Sequence, residues 1–208
     1  MTDAPTKVNG KVIVAGPAAT GKTCLIERFV NDHYIADDPS HGPTLGTDCS
    51  KKVVVVDNTE VNLFVYDTAG QERFAEMAAS YYRIGEVCLL CFDLSDISTF
   101  DHTKFWMNKV NANNPKCSFI LVGTKEDLVD SNDPSIKPIA AWAEDAGIPF
   151  FATSAKSDTG GRNIKFLFHI VAEKCLRINR EKLANGGGGT GGMQLGGAFG
   201  RPKQGCCG

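Results

Sequence analysis

Gly16-Pro17-Ala18-Ala19-Thr20-Gly21-Lys22-Thr23 is the stretch on which the reading of this chain turns. It fits the spacing G-x-x-x-x-G-K-[ST]. The apolar run Lys11–Ala15 comes before it, and Leu25, Ile26, Phe29 and Val30 follow at the spacing of one helix face. Glycines at 16 and 21 let the backbone turn and come close to a ligand. Successive N–H groups and the start of the helix then form a nest for an anion. Lys22 offers positive charge to the outer phosphates of a nucleotide, and Thr23 offers a hydroxyl to Mg²⁺. The plainer alternative is a glycine-rich turn that happens to carry a lysine. A strand before the loop and a helix after it argue against that.

Composition narrows the field. The chain has 208 residues, enough for one domain and an extension. Its 42% apolar and 22% charged residues suit a soluble globular protein. A formal net charge of -2 leaves no case for nucleic-acid binding. The longest apolar runs are strand-sized, too short to span a bilayer. The first residues, Met1 to Lys7, hold no apolar signal region, and position 2 is not the glycine that myristoylation needs. Eight cysteines raise the question of disulfides. Cys88, Cys91 and Cys117 lie in strand-like runs and Cys24 and Cys175 on helix-like ones, which reads as small buried hydrophobes in a reducing compartment. Cys88 and Cys91 form a lone C-x-x-C pair, short of the four ligands that a zinc site takes.

Short β-rich runs alternate with helical ones. The strand-like runs are Lys11–Ala15, Lys52–Val56, Val61–Tyr66, Val87–Phe92, Ser118–Val122 and Phe150–Thr153. The fourth and fifth are almost wholly apolar, as in strands covered on both faces. Asp57-Asn58-Thr59-Glu60 reads as a hairpin turn, which makes the second and third strands antiparallel and puts one at an edge. Helices are expected over residues 25–30, over Phe100–Val110, behind Pro138 with Gly147 as the stop, and along Ile164, Leu167, Phe168, Val171, Cys175 and Ile178. This is an α/β fold: a six-stranded, mostly parallel sheet with one antiparallel edge strand and helices on both faces. Ligands bind beyond the carboxyl ends of such strands. Residues 1–7 form an extension, 8–183 the domain, and 184–208 a glycine-rich flexible tail.

Three further motifs fall at strand ends. Asp67-Thr68-Ala69-Gly70-Gln71-Glu72-Arg73-Phe74 follows the third strand. There Asp67 can support Mg²⁺ through water, Gly70 can bring its N–H to a γ-phosphate, and Gln71 can orient an attacking water. Thr124-Lys125-Glu126-Asp127 follows the fifth strand, and Ser154-Ala155-Lys156 the sixth. A carboxylate accepts two hydrogen bonds from the edge of guanine, whereas adenine cannot supply the pair. Leaving such a carboxylate unmatched is costly, so the device discriminates.

Together, these motifs and their order resemble those of the Ras-superfamily small GTPases over roughly residues 8–180, and the run from Asp67 to Phe74 with Tyr81-Tyr82-Arg83 resembles the Rab branch. The resemblance implies a P-loop NTPase G domain that binds GTP and GDP with Mg²⁺. Gly16, Ala18, Ala19, Thr20, Gly21, Lys22, Thr23 and Cys24 would surround the phosphates. Thr23 and Thr44 would ligate Mg²⁺, with Asp67 behind them. Gly70 would sense the γ-phosphate and Gln71 would position water, Lys22 and Thr44 completing the catalytic set. Asp127 would read guanine, Lys125 cover it and the Ala155 amide meet its O6, with Thr124, Ser154 and Lys156 beside them and Tyr34 over the base. The segments around Thr44 and Gly70 would be switches, ordered by γ-phosphate and released on hydrolysis. Implied partners are an exchange factor, a GTPase-activating protein, a prenylation escort, a GDP-dissociation inhibitor and effectors at the switches. Implied too is a cycle between cytosol and the cytoplasmic face of an intracellular membrane, in vesicle traffic.

The chain also departs from the pattern. Ala18 stands where many relatives have glycine or serine, and its methyl would crowd Gln71 or an incoming arginine and slow hydrolysis. A scaffold subunit that binds nucleotide with little turnover is therefore the alternative. A nucleoside-phosphate kinase would need an arginine-rich lid, which the sequence lacks. Thr124 replaces the common asparagine, keeping one donor. Tyr66 replaces the usual tryptophan and Cys49 an aromatic; with Tyr81 these would form an altered partner-binding cluster. The first switch is long, with Asp37 to Pro43 polar and turn-rich, and His41 reads as a solvated loop residue. Finally, Cys206 and Cys207 near the terminus resemble the Rab signal for double geranylgeranylation, since a C-a-a-X box would need cysteine at position 205. Two lipid chains anchor stably where one is marginal, and Arg201 and Lys203 would add weak attraction to anionic lipid.

Overall fold

The computed structural model describes residues 7–34, 42, 44–130 and 133–185. The expectations placed on the N-terminal extension, most of the first switch with His41, and the tail with Arg201, Lys203, Cys206 and Cys207 lie outside those residues.

In chain order the elements are β1 (Lys7–Ala15), α1 (Lys22–Asn31), β2 (Thr47–Val56), β3 (Thr59–Thr68), α2 (Ala79–Ile84), β4 (Val87–Asp93), α3 (Ser98–Asn113), β5 (Ser118–Thr124), α4 (Ile136–Asp145), β6 (Phe150–Ala152) and α5 (Asp158–Ala184). Short 3₁₀ segments cover Glu72–Ala78 and Glu126–Leu128. The strands form one sheet in the order β2-β3-β1-β4-β5-β6. β2 runs antiparallel to β3 and the other pairs are parallel. The six-stranded, mostly parallel sheet with an antiparallel edge strand is as the sequence implied.

Side-chain alternation along the strands builds two cores. Val12, Val14, Leu89, Cys91 and Ile120 point to one face and meet Leu25 and Phe29 of α1 and Leu167, Phe168 and Val171 of α5. The Phe29 and Phe168 rings stack 3.7 Å apart. Ile13, Cys88, Leu90 and Phe92 point to the other face and meet Tyr82, Trp106, Val110 and Ile139 from α2, α3 and α4. β4 is buried along its whole length, which is why its sequence shows no polar alternation. A Leu89→Ala cavity there would cost about 2–5 kcal/mol.

Several boundaries differ from the sequence reading. β2 starts at Thr47 rather than Lys52, because its polar first half pairs with the end of β3, Thr47 opposite Thr68. The pairing continues one step further, with the Ala69 N–H donating to the Gly46 carbonyl at 3.1 Å. Asp67 and Thr68 thus belong to β3 rather than following it. The hairpin turn is only Asp57-Asn58, both at positive φ (46° and 57°), the backbone of a type I′ turn whose twist suits the strands. Pro138 is the third residue of α4, not the first. The first turn of a helix leaves its N–H groups unpaired, so a missing one is tolerated there. Gly147, at φ 65°, sits just past that helix as expected. Lys52 turns inward to cap α1, its Nζ donating to the carbonyls of Phe29 and Val30.

Candidate functional site

The loop from Gly16 to Gly21 joins β1 to α1 at the carboxyl end of the sheet. Its two glycines have separate reasons. At Gly16, φ is 147° and a Cβ would lie 2.2 Å from the Cys91 carbonyl oxygen, so the loop rests directly on the β4 backbone. Gly21, at φ 74°, starts α1 in the left-handed region. Ala19 also takes a positive φ, 62°, which costs about 1–2 kcal/mol for an L-residue. Bonds across the loop hold it. The Thr20 hydroxyl donates to the Pro17 carbonyl at 2.9 Å. Lys22 Nζ reaches back under the loop to the carbonyls of Gly16 (2.9 Å) and Pro17 (2.6 Å). Burial pushes the Lys22 ammonium below its ordinary pKa, with Cys91 and Asp67 opposing.

Beside the loop lies a set of hard oxygens. Thr23 Oγ1 donates to Asp67 Oδ2 at 2.6 Å and lies 3.1 Å from Thr44 Oγ1. Asp67 is buried, and its Oδ1 has no hydrogen-bond partner among the described residues. Burial raises the Asp67 pKa; the Thr23 hydroxyl and the Lys22 charge pull the other way. An orphaned buried carboxylate oxygen next to two hydroxyls is a donor set that fits Mg²⁺, which takes few protein oxygens and keeps several waters.

Gly70 packs so close to the loop that a Cβ would lie 2.5 Å from Lys22 Nζ and 2.6 Å from the Cα and N of Ala18. Gln71 follows it, and its Oε1 accepts from Arg73 Nε at 2.7 Å. The Arg73 guanidinium in turn covers the Phe74 ring at 4.7 Å.

The far end of the site is built on β4, β5 and β6. The Thr124 hydroxyl lies 2.7 Å from the Thr20 carbonyl and 2.8 Å from the Phe92 carbonyl, tying the loop to the sheet. Lys125 stands at φ 58°, and its Nζ meets Asp93 Oδ2 at 2.5 Å. Asp127 Oδ1 accepts from the Ser154 hydroxyl, and Ser154 Oγ accepts from the N–H groups of Lys156 and Ser157.

One cavity of about 470 Å³ connects the two ends, within the range of small-ligand sites. Tyr34 is among its lining residues, and Ala18, Ala19, Gly21, Lys22, Thr23, Cys24, Thr44, Gly70 and Gln71 line it at the loop end. Thr124, Lys125, Asp127, Ala155 and Lys156 line it at the other. Gly16, Thr20, Asp67 and Ser154 stand behind the lining and support it through the bonds above. Cys24 is half-buried rather than fully so, and burial raises its thiol pKa against the pull of Lys125. The sequence reading did not place Leu25, Gly42, Leu128 and Thr153 in the site, though they also line the cavity, and it did not name Asp93. The signal for Asp93 was available: a lone carboxylate at the carboxyl end of an otherwise apolar strand. Outside the cavity, Cys49 sits opposite Tyr66 across the β2–β3 pair, and the Tyr66 and Tyr81 rings lie 5.1 Å apart. The three expected neighbours do meet.

This strand order, with a phosphate-loop motif between β1 and α1, is the P-loop NTPase fold in its G-domain form. The Ras family model matches residues 11–177. The chain is 34% identical to the Ras-related protein RABD1 of Arabidopsis thaliana over 205 residues, 95% of each chain. It is 35% identical to the Ras-related protein SEC4 of Saccharomyces cerevisiae over 201 residues, 95% of this chain and 90% of that one. It is 34% identical to the Ras-related protein Rab-24 of Dictyostelium discoideum over 178 residues, 84% and 85% of the two. The chain belongs to the Ras family, in its Rab branch.

Proposed function

We propose that the protein is a Rab-like switch that binds GTP and GDP with Mg²⁺ and hydrolyses GTP slowly, as a membrane-tethered component of vesicle traffic. One observation carries the reading: a single cavity runs from Lys22 and Thr23 to Lys125 and Asp127, so phosphate-binding and guanine-reading groups face one ligand. Lys22 and the loop N–H groups hold the phosphates. Thr23 and Thr44 hold Mg²⁺ with Asp67 behind them, and the ion supplies positive charge to the phosphate oxygens. Gly70 meets the γ-phosphate and Gln71 orients the attacking water. Asp127 accepts from the guanine edge and is itself held by Ser154. The Ala155 amide meets O6, and Tyr34 and Lys125 flank the base. Chemistry of this kind is positioning and charge stabilisation, slow until a partner adds an arginine.

Residues 8–183 serve as the domain and 184–208 as the tether, with Cys206 and Cys207 carrying the lipids. No helix among the described residues is long and apolar enough to cross a membrane; in this reading the lipids attach the protein to the cytoplasmic face. The exchange factor, GTPase-activating protein, prenylation escort, GDP-dissociation inhibitor and effectors are the partners such a cycle requires. A second reading, a nucleotide-binding scaffold, is favoured by the closeness of Ala18 to Gly70.

Single-turnover hydrolysis separates the two. The chain, with serine at both terminal cysteines, is loaded with GTP and Mg²⁺, and bound nucleotide is followed by HPLC. Slow, definite conversion to GDP is expected. Retained GTP favours the scaffold. Failure to bind guanine nucleotide refutes both.

A further inference from the structure

We infer that Asp93, at the carboxyl end of β4, is a positioning residue that sets how long nucleotide stays bound, by holding Lys125; this rests on the guanine-nucleotide reading of the cavity. Asp93 is buried and sits opposite Thr124 in the β4–β5 register. Both carboxylate oxygens are engaged. Oδ1 accepts from the N–H and hydroxyl of Ser95 at 2.9 and 2.7 Å. Oδ2 takes the Lys125 ammonium at 2.5 Å. Lys125 is bonded at its head and strained at its backbone, where φ is 58°. A left-handed lysine needs such a tether to persist.

The tether matters because of what adjoins Lys125. Lys125 itself lines the cavity. One residue before it, Thr124 grips the phosphate loop at the Thr20 carbonyl. Two residues after it, Asp127 faces the guanine edge in the proposed reading. Removing the charge at Asp93 frees the ammonium and loosens the turn that carries both neighbours. The ligand then loses its wall and the alignment of its base contact together. A charge-assisted bond that is partly exposed is strong enough to matter without being essential to the fold.

The test is release of a fluorescent GDP analogue from the Mg²⁺-loaded full chain, chased with excess GDP. Asp93→Asn keeps shape and loses charge, and should speed release about tenfold. Lys125→Met should speed it similarly. Combining the two should add less than about twofold to Lys125→Met alone, because Asp93 acts through that lysine. Ser95→Ala, at an exposed position, loosens the carboxylate without touching the core and should speed release about two- to threefold. Release unchanged in Asp93→Asn overturns the inference, and so do full multiplicative effects of Asp93→Asn in both backgrounds. If Asp93→Asn does not fold, unchanged release in Ser95→Ala overturns it. A wild-type chain that takes up no guanine nucleotide overturns the reading of the cavity, and the inference with it.

Discussion

Gly70→Ala adds one methyl group at the tightest point of the site. The new carbon would lie 2.6 Å from the Cα and N of Ala18, where an unstrained contact is about 3.5 Å or more. The loop and the end of β3 must therefore part by about 1 Å. Lys22 cannot simply swing away, because its Nζ is held by two loop carbonyls. Overpacking of this kind costs about 1–3 kcal/mol. Against it stands about 0.4–1 kcal/mol from stiffening the unfolded chain, since Gly70 is not among the residues at positive φ. The net, about 1–2 kcal/mol, should lower Tm by about 2–8 °C in a domain of this size. Hydrolysis should suffer more, because a misplacement of about 1 Å costs roughly 10²-fold in rate. Calorimetry and single-turnover hydrolysis read the two effects separately. The clash is with the backbone of Ala18, so Ala18→Gly in the same chain should not rescue it. Wild-type hydrolysis with unchanged Tm, or full rescue by Ala18→Gly, would refute the steric reasoning.

Alone, Ala18→Gly should raise intrinsic hydrolysis about threefold or more by clearing space for Gln71 and water; an unchanged rate sinks that idea. Asp127→Asn should weaken GDP binding by at least about 10²-fold, because the amide can no longer accept both guanine donors. Titration calorimetry should show xanthosine diphosphate gaining relative to GDP, and unaltered preference would remove Asp127 from the base site. Burial pushes the thiols of Cys91 and Cys117 up to about 12 and raises those of Cys88 and Cys175. With serine at 206 and 207, an alkylating reagent near neutral pH should mark Cys49 first and Cys24 slowly, nucleotide protecting Cys24. The four buried thiols should react only on unfolding, and mass spectrometry showing native labelling of Cys88 would contradict the packing. For Asp93, burial raises the carboxyl pKa, but the Lys125 and Ser95 bonds outweigh it and hold the folded value below the ordinary 3.8. The stabilisation is therefore whole above that value and lost as pH falls through the lowered one. Asp93→Asn should flatten the stability profile below pH 3.8 and leave its shape near neutrality alone, as acid-unfolding curves would show.

What could be read from the sequence follows how local each cause is. β4 and β5 are buried on both faces, so their apolar runs announce them. The first half of β2, Thr47 to Lys51, has no such pattern, because it lies at the sheet edge and owes its conformation to pairing with β3. Helix α2 spans only six residues, too few for a stripe to show. At the site, the phosphate loop is legible because one short segment must supply two glycines, a lysine and a threonine. Asp93 shows only as a carboxylate ending an apolar strand; its role is hidden, because its partner Lys125 is 32 residues away and only strand register joins them. Ser154 is an intermediate case: its place in a motif marked it, but not the hydroxyl bond that steadies Asp127.

The extra rung between Gly46 and Ala69 has its own consequence. It fastens the end of the first switch, just past Thr44, to the residue before Gly70. In the proposed reading, the two segments that would meet the third phosphate are therefore ganged like a pair of relay contacts on one armature. A partner that prised Thr44 outward would then also draw on Gly70, so recognition at either contact would report the state of both.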